Sequence, residues 1–410
     1  MRNQFGFSFL AATLLTPVAF AQSSDLDAVQ VPAAADQEVT VTYKPGSGVK
    51  FSGENFEVAM GGNVMVDYYF MAGDVNPDQS TFNLREARFY LKGKLYHTNT
   101  SFKLMFEGKD NTQPIKDAWL KQGLWKNEDG SMGLSLRFGQ QKVAFGREWN
   151  TSSTAREFIS QSIAGSSFSG VRTSGGQLTL EGKAGDKNCY RVNFGAFNTS
   201  FQGGAGTTAT TFTGEQGANP DNKLNYVLSA DYAMNGLKLG SDQGDLARSE
   251  EMKFGIGAGI FIGNEEAAGA DIDIFSWNVN AAVAMNGFFG QIDVFGYTAE
   301  ADTPGAQDES HLGFTLQGSY TFVDDLYVAA RFSMVSLDNQ TNFMSGRGWA
   351  SGLGNAQGDQ MNVSLAAGKY YNGHNNKLQA EITFETIDFD ASAATDVDNI
   401  IFGLRYSLRI

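Results

Sequence analysis

From residue 51 to the end of the chain, apolar and polar side chains alternate with a period of two. The last twelve residues show it best: Ile400, Phe402, Leu404, Tyr406, Leu408 and Ile410 fall on one face. Asn399, Gly403, Arg405, Ser407 and Arg409 fall on the other, with Ile401 the only apolar intruder. Such alternation predicts half-buried β-strands. Sixteen segments carry it, near 56–71, 81–96, 100–110, 114–125, 131–143, 170–184, 190–201, 224–235, 251–263, 271–285, 287–301, 310–323, 325–337, 359–373, 376–389 and 399–410. The connections alternate between short (Tyr96 to Thr100, Met285 to Gly287, Val323 to Asp325) and long (144–169, 202–223, 338–358), with 236–250 long where a short turn is due. No run approaches the roughly 18 consecutive apolar residues of a transmembrane helix. An even number of antiparallel strands, short turns at one end and long loops at the other, predicts an all-β transmembrane antiparallel barrel of about 16 strands, its short turns and both termini on the periplasmic side. A soluble β-sandwich also alternates, but its strands are usually about 5–6 residues long, and these are longer.

The N-terminus agrees with export. Arg2, an apolar stretch from Phe5 to Phe20 and Ala19-Phe20-Ala21 read as a signal peptide over 1–21. Residues 22–50 are polar and alanine-rich and read as a flexible periplasmic lead-in, leaving 51–410 as one barrel domain.

Composition sharpens this. Glycine is 48 of 410 residues, aromatics are 12%, and the net charge is -15. One cysteine, Cys189, and three scattered histidines, His97, His311 and His374, argue against a disulfide framework, a metal site or a metal cofactor. The acidic total argues against a nucleic-acid partner. The charge is uneven: residues 81–194 carry 17 basic and 10 acidic side chains, residues 195–410 carry 10 and 26. Much of the later acid falls in expected loops, including Asp302 and Asp390.

In a barrel, a basic side chain facing lipid at mid-depth costs about 2–4 kcal/mol, whereas the lumen tolerates it. Alternation with the apolar positions therefore points Arg88, Lys92, Lys94, Lys103, Arg137, Arg331 and Arg405 inward, with Glu107, Asp293, Glu381 and Glu385. A basic wall can conduct anions, or its cations can pair with lumen carboxylates and brace the barrel; both readings stay open. The segment 144–169 holds Arg147, Glu148, Arg156 and Glu157 among aromatic and apolar residues. A loop this long is usually functional. Folded inward it narrows the pore; the other reading is an external lid.

Specific motifs lie between Asn83 and Gln161: LREARFYLKGKL, SFKLMFEGKD, IKDAWL, LRFGQQKVAFGREWNTSS and REFISQS. They resemble the phosphate-selective porin O and P family, whose Gly-Gln-x-Lys-Val-Pro-Phe-Gly stretch, Glu and Thr-Ser-Ser step stand here as Gly139–Gly146, Glu148 and Thr151–Ser153, with Ala144 in place of the proline. The resemblance implies a sixteen-stranded homotrimeric porin in the outer membrane of a Gram-negative bacterium, with Lys142, Arg147 and the basic wall near a constriction. The expected function is passive diffusion of small hydrophilic solutes, possible anions such as phosphate among them, with no catalytic residue and no cofactor. The rivals are a structural or adhesive barrel with a closed lumen and a barrel hydrolase. The hydrolase needs a nucleophile–base pair, for which only the three histidines could supply an imidazole.

Overall fold

The computed structural model describes residues 39–74, 78–96, 99–109, 114–168, 172–198, 224–240, 243–267, 270–301, 308–338, 358–389 and 396–410. The expected signal peptide, His97, Asp302 and Asp390 lie outside these residues. Eighteen strands are described, β1 (Thr40–Lys44), β2 (Gly48–Ser52), β3 (Phe56–Gly73), β4 (Gln79–Leu95), β5 (Thr100–Glu107), β6 (Ile115–Lys126), β7 (Met132–Lys142), β8 (Arg172–Lys183), β9 (Cys189–Phe197), β10 (Asn225–Met234), β11 (Lys253–Ala267), β12 (Ala270–Met285), β13 (Phe288–Ala301), β14 (Glu309–Thr321), β15 (Leu326–Asp338), β16 (Gly358–Tyr370), β17 (Asn376–Phe389) and β18 (Val397–Arg409). The sixteen from β3 to β18 coincide with the sixteen alternating segments. Each pairs antiparallel with the next, and β18 pairs with β3 from Asn399 opposite Gly73 to Arg409 opposite Asn63, which closes the barrel. Closure leaves none of these strands as a free edge, the condition for crossing a bilayer with strands.

Burial along the strands is inverted relative to a soluble protein. On β18 the polar Asn399, Arg405 and Ser407 are buried, while Phe402, Leu404, Tyr406 and Leu408 are exposed. The same holds for Gln317 and Ser319 against Leu312 and Leu316 on β14. The apolar girdle is therefore the outer surface, and the polar face is enclosed.

Part of the stretch read as a flexible lead-in is ordered instead. Residues 40–52 form a hairpin whose second strand, β2, pairs with the first residues of β3, Val49 opposite Met60 to Ser52 opposite Glu57. Its turn is built at Gly46 and Gly48, both at positive φ, 73° and 80°, a conformation open to glycine. Val39, Val41 and Tyr43 alternate with Thr40, Thr42 and Lys44, a strand signal that the surrounding alanine and proline obscure.

The core lies inside the barrel. After β7 the chain turns inward at Gly146 (φ 76°) and forms two short helices, α1 (Arg147–Asn150) and α2 (Ile163–Ser167), with a 3-10 turn at Ser153–Ala155 between them. Ser162 caps α2, accepting from the Gly165 amide at 2.8 Å. Val143, Phe145, Ile163, Ala164 and Phe168 pack on Phe261, Phe295, Tyr297 and Val335 of the far wall. Phe168 stacks on Phe295 at 5.6 Å, over Gly313, where a Cβ would come within 2.5 Å of the Phe168 ring. Of the two readings of this loop, the inward one is what the structure shows.

Candidate functional site

Among the described residues, two chambers of the lumen border the loop 144–168. The outer one, about 530 Å³, is lined by Tyr69, Thr81, Asn83, Arg85, Gln161, Arg331 and Glu381 among others. The second, about 660 Å³, is bordered by Arg85, Arg88, Lys92, Lys103, Arg137, Lys142, Arg156, Arg172, Lys238 and Arg409, with Glu86 and Asp117 as its acids. Arg85 and Gln161 border both chambers.

The acids of the second chamber are engaged. Glu86 takes Arg88 at 3.0 Å, Asn63 at 2.8 Å and Ser153 of the loop at 2.8 Å. Glu107, just behind, takes the other side of Arg88 at 2.8 Å. Asp117 lies between Lys103 at 2.5 Å and Arg172 at 3.0 Å. Arg85, Lys92, Arg137, Lys142, Arg156 and Arg409 have no acid partner within ion-pair distance among the described residues. The Lys142 ammonium donates instead to the Trp149 carbonyl and sits 4.7 Å from the Trp149 ring, and Arg137 donates to Gln141. Burial brings the Arg156 guanidinium down to about 10, with Glu148 opposing the shift.

The sequence-derived candidates therefore separate into two groups. Arg88, Lys92, Lys103, Arg137, Lys142 and Arg156 come together in the second chamber. Lys94 is exposed at the end of β4, opposite Glu57 and Ser101 in register and outside both chambers. Arg147, Glu148, Glu157, Arg331 and Arg405 are buried and fasten the loop to the wall. Arg405 grips Asp67 with two contacts at 2.6 Å and donates to the Ile159 carbonyl at 2.5 Å. Arg331 donates to the Ser160 carbonyl at 2.9 Å and meets Glu381 at 3.2 Å and Glu148 at 3.5 Å. Glu381 in turn accepts from the Ile159 amide at 2.6 Å, and Asp293 from the Arg147 amide at 3.3 Å. Lumen cations thus follow both readings: some brace, others stand open.

The alternation misses Arg85. A bulge between Met65 and Val66 pairs those residues with Glu86 and Leu84 and leaves Arg85 between, so the inward parity changes there. Both Arg85 and Glu86 reach the lumen. The readable signal is the pair itself: strict alternation would turn one of two adjacent charges toward lipid, and a bulge re-aims it. Lys238 comes from the long connection between β10 and β11, which also enters the lumen. Gln243 donates its amide to the Ala155 carbonyl at 3.1 Å, accepts from the Glu157 amide at 2.9 Å, and accepts from His374 Nε2 at its own carbonyl at 3.0 Å.

A closed sixteen-stranded barrel, apolar outside and charged within, with a loop narrowing its lumen, is an outer-membrane channel. The chain belongs to the phosphate-selective porin O and P family, whose model matches residues 58–344, and it is a Gram-negative outer-membrane protein. Its structure is similar to an anion-selective porin from Comamonas acidovorans (10% identity, 86% of this chain and 100% of that one, TM-score 0.55). It is also similar to the outer membrane channel DcaP of Acinetobacter baumannii (15%, 88% and 100%, TM-score 0.54) and to the trimer form of OmpT of Vibrio cholerae (13%, 86% and 100%, TM-score 0.52). At these identities the likeness is one of fold. No curated protein sequence matches the chain.

Proposed function

We propose that the protein is a passive homotrimeric porin that prefers small anions, inorganic phosphate among them, and performs no catalytic step. The observation that carries the reading is the charge balance of the second chamber: its two acids are held in ion pairs, and six of its cations have no acid partner among the described residues. An anion entering it replaces its hydration with N–H donors already in place, and a cation meets uncompensated positive charge. The family name and the anion-selective neighbour agree with this, and the trimeric neighbour supports the assembly.

The test is the reversal potential of single channels in a KCl gradient. The expected sign is chloride-selective, and Lys92→Glu combined with Arg409→Glu moves it toward potassium. A cation-selective sign in the unaltered protein overturns the anion reading. The filled side of the lumen, where the loop and the β10–β11 connection pack, favours a second reading, a closed structural barrel. Complete absence of conductance in planar bilayers decides for that one.

A further inference from the structure

The second chamber holds more than charge. Three of its lumen-facing side chains are aromatic, and each lies against a cation: Tyr90 under Lys92 at 5.0 Å, Trp119 under Arg137 at 5.4 Å, and Trp149 under Lys142 at 4.7 Å. Arg172 lies 5.9 Å from the Trp149 ring as well. Trp119 stands on the same face of β6 as Asp117, a face that is polar elsewhere along the barrel. Its indole N–H makes no hydrogen bond among the described residues, whereas that of Trp149 is used on the Val143 carbonyl at 3.0 Å. An inorganic anion can accept from an exposed indole N–H but makes no use of a ring face. A planar ring does: it stacks on indole faces and on the flat guanidinium, which attracts π-systems as well as carboxylates. The chamber's volume of about 660 Å³ falls within the roughly 300–1,000 Å³ typical of sites for small organic ligands.

We propose that this chamber is a binding site for organic anions carrying a planar aromatic ring, aromatic carboxylates being the simplest, with the carboxylate on the basic wall and the ring among Tyr90, Trp119 and Trp149. The proposal rests on the anion-channel reading and narrows it. In transit the ring adds a second attachment to the charge, so an aromatic anion dwells longer in the lumen than an inorganic one.

The test uses the full-length protein in planar bilayers, with benzoate, cyclohexanecarboxylate and inorganic phosphate each added to a chloride current. Benzoate and cyclohexanecarboxylate share a charge and nearly a size, and only benzoate has a π-face. The expected half-blocking concentration of benzoate is at least about 5-fold lower than that of either other anion. In Trp119→Leu with Trp149→Leu the benzoate to cyclohexanecarboxylate ratio falls to near one, and in Trp119→Phe it is retained in part. Because the readout is a ratio within each variant, a change in overall conductance cancels. If the double variant does not insert, Trp119→Leu alone serves and lowers the ratio by at least about half. Equal block by benzoate and cyclohexanecarboxylate, or a ratio that survives in the leucine variants, overturns the proposal and leaves the anion reading standing. A potassium-selective reversal potential in the same bilayers removes both.

Discussion

Arg405 and Glu157 are both charged, both inside the barrel and both withdrawn from water, for opposite reasons. Arg405 is compensated: Asp67 and the Ile159 carbonyl satisfy it. Removing one partner of such a pair strands the other, at a cost of about 3–5 kcal/mol. Arg405→Leu is therefore expected to lower the temperature at which the barrel unfolds in detergent, and adding Asp67→Asn should return part of the loss. Glu157 is only partly compensated. Gln317 donates to it at 3.3 Å, and the Lys377 ammonium nearby is committed to the Arg156 carbonyl. Burial is the larger effect and pushes its carboxyl up to about 7. A carboxyl raised in the folded state holds its proton there while the unfolded chain loses it above about 4.5, so stability falls as pH rises from about 4.5 to 7. Glu157→Gln should flatten that slope, read as unfolding temperature between pH 5 and pH 8. A slope unchanged in the variant would show that another group titrates. Alternation and the cost of charge in lipid put Arg405 on the inner face from sequence alone. Its clamp role was not legible, because Asp67 lies at the other end of the chain and meets it only on closure.

The strands were legible as elements because each carries its own signal, a period of two enforced by lipid on one side and water on the other. The inserted segments carry no such period. Loop 144–168 offered length, buried-type residues such as Phe145 and Phe168, and no direction. Its direction comes from hydrogen bonds to Asp293, Glu381 and Arg405, which the sequence holds far from it. The β10–β11 connection gave only an unexplained length. In the structure it is the loop's second support, through Gln243, which is fully buried and bonds to Ala155 and Glu157. Gln243→Ala removes the side-chain bond to the Glu157 amide and keeps the backbone bond to Ala155. Each lost buried hydrogen bond costs about 1–3 kcal/mol, enough to populate a loosened loop. The expected result is a larger and noisier single-channel conductance with the barrel's unfolding temperature nearly unchanged. A quiet channel of unaltered conductance would mean that the wall contacts alone hold the loop.

At the scale of the whole molecule, the net charge of -15 says little about the pore, because the charge a solute meets is local. The early strands, basic in sequence, curve into one wall, and closure of β18 on β3 adds Arg409 from the far end of an otherwise acidic half. That addition could not be read from a linear charge profile. It also decides how selectivity should respond to salt. Unpaired cations facing water act at a distance, and their field is screened over about 10 Å at 0.1 M salt but about 3 Å at 1 M. Direct ligation at Arg85 and Gln161, which border both chambers, works at contact and is screened far less. If the open wall dominates, the chloride-to-potassium permeability ratio should fall several-fold between about 0.1 M and 1 M KCl. Arg85→Gln should then lower conductance while leaving most of that salt dependence in place. A ratio constant across the same range would put selection at Arg85, and Arg85→Gln would then abolish it.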